Sequence, residues 1–165
     1  RNKEWIMKVS QQHAGSAVML VMTVFAGITA LAAGDINDID NHRSCDFCGM
    51  DRKAYGFSRM LIRYQDGTEV GVCSLHCAVI ELDANKDRAV NALLVADRNT
   101  RTMFDAEKAF WIIGGSKRGV MTQRPKWAFQ SKAAAEAFIA EYGGKIVPWA
   151  EALAAAREDL ARELR

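Results

Sequence analysis

With 165 residues and 50% hydrophobic content, the chain has room for one compact domain with a substantial core, plus a separate N-terminal segment. Its 22 basic residues against 20 acidic ones leave a net charge of +2. The basic residues are scattered, apart from Lys117-Arg118 and Arg124-Pro125-Lys126, so there is no electrostatic basis for binding nucleic acid.

In chain order, the first 33 residues read as a targeting segment. Ala17 to Ala33 carries no charge and is preceded by Arg1, Lys3 and Lys8. It ends in Ala30-Leu31-Ala32-Ala33, a small-x-small pattern suited to signal peptidase, with cleavage expected after Ala32. The alternative is a retained anchor through residues 17–33, although such a run is at the short end for crossing about 30 Å of hydrocarbon. Met7 is a candidate translation start. No Cys directly follows the apolar run, so there is no lipidation site. Either way the expected location is periplasmic or otherwise extracytoplasmic, where free thiols persist if metal-bound, protected or redox-active. Residues 34–44 (GDINDIDNHRS) are polar and without period, and are expected to be a linker in which His42 is exposed.

Residues 45–165 are the expected functional domain. It opens on Cys45-Asp46-Phe47-Cys48-Gly49-Met50, in which Gly49 can turn the backbone so that Cys48 and Met50 face one side. Phe57 to Tyr64 is rich in strand formers, Gln65-Asp66-Gly67 supplies a tight turn, and Thr68 to Cys73 returns. The second cysteine stretch, Cys73-Ser74-Leu75-His76-Cys77, leads into a helix over 74–84 with Leu75, Ala78, Val79 and Leu82 at helical spacing. A helix starting there places its N-terminal N–H groups and positive dipole end near the sulfurs, which favours thiolate. Val90 to Val95 is a further strand. The second half repeats this order. Strands are expected at 109–113 and 127–129, separated by a Gly-containing basic loop with Met121. A helix capped by Ser131 and stopped by Gly143-Gly144 follows, then a strand at 145–147 and a closing helix from Trp149. The expected class is α+β, with two ββαβ units. The expected core is Leu61, Val72, Val79, Leu82, Ile112, Phe129, Phe138 and Ile146.

The chemistry lies in the two cysteine stretches. Thiolate, thioether and imidazole together suit a soft or borderline ion, Cu(I) or Zn²⁺, rather than Mg²⁺ or Ca²⁺. Cys-x₂-Cys and Cys-x₃-Cys separated by 24 residues also fit a structural Cys₄ zinc clip. In an exported chain, two disulfides or a thiol redox role fit as well. Met50 and His76 weigh toward Cu(I), because zinc has little use for a thioether. Met50 as core packing is the competing reading. An enzyme is not expected. No helix follows Cys48 as thiol oxidoreductases require, and no serine–histidine–acid set or carboxylate pair stands out.

Eight landmarks then occur in one order: Cys48-Gly49-Met50, Asp66-Gly67, Cys73-Ser74-x-x-Cys77, Asp105-Ala106-Glu107-x-Ala109-Phe110-Trp111, Gly119-Val120-Met121, Ala128-Phe129, Ala134-x-x-x-Phe138 and Gly143-Gly144. In these the chain resembles the NosL family, accessory proteins of nitrous oxide reductase, over about residues 43–155. The resemblance implies an exported Cu(I) chaperone with a duplicated ββαβ fold similar to part of organomercurial lyase. It implies a copper-acceptor partner such as nitrous oxide reductase with its membrane maturation machinery. Cys48, Met50 and Met121 match the family's copper-associated positions, with His76 or Cys45 completing the site, while Cys73 and Cys77 hold a second ion or brace the junction of the halves. Family members are usually lipoproteins, whereas the lipobox Cys is missing here. They also vary at the paired cysteines, all of which are present here, and that keeps a four-thiolate zinc site open.

Overall fold

The computed structural model describes residues 37–163 and Arg165. The expected signal or anchor segment and residues 34–36 lie outside the described residues. Among the described residues, no helix is long and apolar enough to cross a membrane.

Two antiparallel sheets form, each from the strand–strand–helix–strand order that the sequence suggested. In the first, β1 (Met60–Tyr64) and β2 (Glu69–Val72) make a hairpin, α2 (Leu75–Ala84) crosses, and β3 (Val90–Ala96) returns beside β1. In the second, β5 (Phe110–Ile113), β6 (Lys126–Phe129), α3 (Lys132–Tyr142) and β7 (Lys145–Val147) repeat this, with β7 beside β5. The strand orders, β2-β1-β3 and β6-β5-β7, therefore correspond. The first sheet gains one strand that periodicity did not reveal, β4 (Met103–Asp105), paired antiparallel with β3. Three residues are too few to show an alternation. The chain closes with α4 (Trp149–Glu163), which packs on α2 and β5.

Local chemistry explains the boundaries. At the first hairpin, Asp66 accepts from the Thr68 N–H and Gly67 takes φ +86°. Ser131 accepts from the Ala134 N–H as the α3 N-cap, and Gly143, at φ +74°, ends that helix with its N–H on the Ile139 carbonyl.

Six of the eight expected core residues are buried, while Leu82 and Ile146 are half-buried and packed against the core. Leu61 does not join the others. With β1 central and covered on both faces, Met60, Ile62 and Tyr64 point into the main core, and Leu61 packs on the opposite face with Ala96 and Met103. Phe129, Phe138 and Trp127 form an aromatic cluster between β6 and α3, with ring centroids 5.2 Å and 5.9 Å apart from Phe138.

The second half of the expected linker is built into the domain. Residues Asp38–Asn41 form one helical turn, α1, and Asp38 is buried. Its carboxylate receives Arg52 Nη2 at 2.6 Å and a bidentate pair from Arg59, Nε to Oδ2 at 3.0 Å and Nη2 to Oδ1 at 3.0 Å. Arg52 and Arg59 are themselves buried, so each needs this anion. His42, expected to be exposed, is half-buried between Asp46 at 3.5 Å and Glu69 at 3.7 Å.

Candidate metal centre

The first cysteine stretch folds as a knuckle. Ser44 bridges Asp51, the Cys45 N–H donates to the Met50 carbonyl, and the Gly49 N–H donates to the Cys45 carbonyl. Gly49 at φ +74° makes that reversal, as its place after Cys48 suggested. Asp46 fastens the knuckle to β2: its N–H donates to the Gly71 carbonyl, and its carboxylate accepts from the Gly71 N–H at 2.7 Å. Arg52 Nε donates to the Val72 carbonyl at 3.2 Å. The Asp38 cluster therefore holds both cysteine stretches in register.

Cys73 directly follows β2, and Cys77 sits in the first turn of α2. The Cys48 and Cys73 sulfurs are 3.6 Å apart, Cys73 and Cys77 are 3.7 Å apart, and all four lie within 4.8 Å of one another. A tetrahedral ion with metal–sulfur bonds of about 2.3 Å has sulfur–sulfur edges of about 3.8 Å, so the set fits a four-coordinate thiolate site. Cys45, Cys73 and Cys77 are buried, while Cys48 is half-buried and is the member that a partner could reach. None of the four is in a disulfide. Among the described residues, these four are the one group of Cys, His, Asp and Glu close enough to share an ion.

Their protonation is uneven. The hydrogen bond from Cys77, aided by Ser74 and Cys48, draws the Cys73 pKa down to about 6 despite burial. Burial pushes Cys48 up to about 11, against the Met50 N–H and with help from Cys45 and Cys73. Cys77 is driven up chiefly by its hydrogen bond to Cys73. Cys73 is thus drawn toward the thiolate while Cys48 and Cys77 are held toward the thiol, so binding an ion through them requires proton release.

The remaining three expected residues are not in the sulfur cluster. Met50, His76 and Met121 line one adjoining cavity of about 890 Å³, together with Tyr55, Phe57 and Glu163. His76 is buried, its Nδ1 has no hydrogen-bond partner, and the Glu163 carboxylate is 3.7 Å away. An unpartnered buried ring nitrogen is a vacant donor position. Met121 lies in the loop between β5 and β6, 41% exposed, with φ +55°, unusual for a residue with a side chain. Glu163, Tyr55 and Phe57 were not foreseen. Glu163 reaches the cavity only because α4 packs beside α2, for which no local signal exists.

The NosL family model matches residues 35–156. The crystal structure of the copper chaperone NosL from Shewanella denitrificans is similar in fold, with a TM-score of 0.54 and 23% identity, covering 68% of this chain and 91% of that one. No curated protein sequence matches this chain.

Proposed function

Because the chain belongs to the NosL family, we propose that it is an exported Cu(I) chaperone that receives copper and passes it to an acceptor protein. The observation that carries this reading is the convergence of Met50, His76 and Met121, from three separate segments, on one open cavity, with Met50 two residues after the half-buried Cys48 and His76 next to Cys77. Thioethers favour Cu(I) over Zn²⁺. A core methionine has no need to stand 41% exposed on a left-handed backbone, as Met121 does. Copper here is cargo, and its release proceeds by ligand exchange. A donor from the partner enters through the cavity before Cys48, Met50 or Met121 lets go, so the ion is never free. The acceptor we propose is nitrous oxide reductase or a related copper enzyme, with its membrane maturation machinery. Residues 1–33 would act as export signal or anchor. The role is delivery rather than catalysis.

A second reading is favoured by the sulfur spacing itself. Edges of 3.6 Å and 3.7 Å suit a tetrahedral Cys₄ zinc clip whose purpose is to hold the knuckle against α2. Two measurements on reduced, full-length protein separate the readings: competition against a Cu(I) chelator with zinc in excess, and the Met50→Leu variant. As a copper ligand, Met50→Leu lowers Cu(I) affinity while the metal-free melting temperature barely moves, because the swap conserves volume and costs less than about 1.5 kcal/mol. Stoichiometric zinc that Cu(I) cannot displace, with unchanged Cu(I) affinity in Met50→Leu, would leave only the clip.

A further inference from the structure

Resting on the assignment of Met121 to the cargo site, we infer that Asp159 of α4 is a positioning residue for Met121, holding its loop at the cavity wall. Asp159 is a buried carboxylate near the end of a helix whose other charges are mostly exposed. All of its partners in the β5–β6 loop and at the start of β6 follow Met121 within five residues. The Thr122 hydroxyl lies 3.2 Å from Asp159 Oδ2, and Arg124 reaches the carboxylate through Nη2 at 2.8 Å and Nε at 3.3 Å. Buried Lys126 donates to Oδ2 at 2.5 Å. The knot is closed by Lys126 Nζ on the Arg124 carbonyl at 3.0 Å, and Arg124 also donates to the Ala155 carbonyl of α4 at 2.7 Å. On the other side of Met121, the loop packs closely on itself at Gly119. A Cβ on Gly119 would meet Thr122 Cγ2 at 2.9 Å and Pro125 Cα at 3.0 Å.

Met121 is therefore fixed from both flanks at φ +55°, a conformation that a side-chain-bearing residue leaves if released. One turn beyond Asp159, the same helix presents Glu163 to His76. α4 thus sets two walls of the cavity, one through the Met121 loop and one beside His76. Lys126 ties α4 to β6 through Asp159. The additional hold on Thr122 and Arg124 governs the loop that carries the sulfur. Groups that orient a metal ligand without touching the metal typically change affinity by about 10- to 100-fold when removed.

The test uses the full chain, reduced, with Asp159→Asn and, in case that variant fails to fold, Thr122→Val, which removes one link and leaves Lys126 paired. Amide hydrogen exchange at residues 119–124 is measured on metal-free protein, and Cu(I) affinity by chelator competition, each with and without Met121→Leu. The expected result is faster exchange confined to the loop and about a tenfold or greater loss of Cu(I) affinity that disappears in the Met121→Leu background. Unchanged loop exchange in both variants overturns the anchor regardless of copper. An equal affinity loss with and without Met121 also overturns it, because that is general loosening. If Met121→Leu alone leaves Cu(I) affinity intact, it is the copper assignment of Met121 that fails, and loop exchange still decides whether Asp159 holds the loop.

Discussion

Replacing Asp38 by alanine should destabilise the domain far more than its position before the first cysteine would suggest. Among the described residues, its carboxylate is the only anion bonded to two buried guanidiniums, those of Arg52 and Arg59. Removing one partner of a buried ion pair costs about 3–5 kcal/mol, because the remaining charge stays desolvated and uncompensated. Both arginines keep carbonyl partners, Met60 and His42 for Arg52 and Gly56 and Arg101 for Arg59. These partners offset part of the loss, so the lower end, about 3 kcal/mol, is expected. At about 3 °C per kcal/mol for a domain of this size, the metal-free melting temperature should fall by about 9 °C. The effect should reach the metal centre, because Arg52 lies two residues beyond Met50 and bonds the carbonyl preceding Cys73. Thermal melting of metal-free wild type and Asp38→Ala, followed by denaturant titration, measures the cost. A loss below about 1 kcal/mol would mean that the cluster behaves as a solvated surface pair, and the argument from buried charge would be wrong.

Two further outcomes follow from the same geometry. Gly71→Ala should cost about 1–3 kcal/mol and disturb metal binding, since its Cβ would sit 2.4 Å from His42 Cβ and 2.8 Å from the Arg52 guanidinium; an unchanged melting temperature would refute the close packing of residue 42 on β2. In reduced, metal-free protein at pH 8, Cys48 should alkylate roughly 100-fold more slowly than in the unfolded chain, because a rise from 9.0 to about 11 lowers its thiolate fraction by that factor. Its rate should climb as pH rises toward 11, and peptide mass spectrometry of Cys48 reacting at the unfolded rate at pH 8 would contradict the burial that raises its pKa.

What the sequence determined was local. Strand formers around Asp66-Gly67, Ser131 before an alanine-rich helix and the Gly143-Gly144 stop each specify their element within a few residues, so the ββαβ order was legible from one chain. That the two cysteine stretches carry metal-ligand chemistry was also legible, but a separate place for Cys73 and Cys77 was expected, and the fold instead puts their sulfurs in one group with Cys45 and Cys48. Only the tertiary structure decided how the seven candidates divide. Four sulfurs cluster within 4.8 Å, whereas Met50, His76 and Met121 face the neighbouring cavity. That division depends on where the knuckle docks on β2 and on how α4 lies against α2 and the Met121 loop. The same limit hid Asp38 and Asp159. An acid among others in a polar stretch, or on an otherwise charged helix, looks solvated in sequence. Burial becomes tolerable only when basic residues 14 to 35 positions away are brought to meet it. Long-range charge pairing leaves no period in the chain, whereas hydrogen-bonded turns and apolar stripes do.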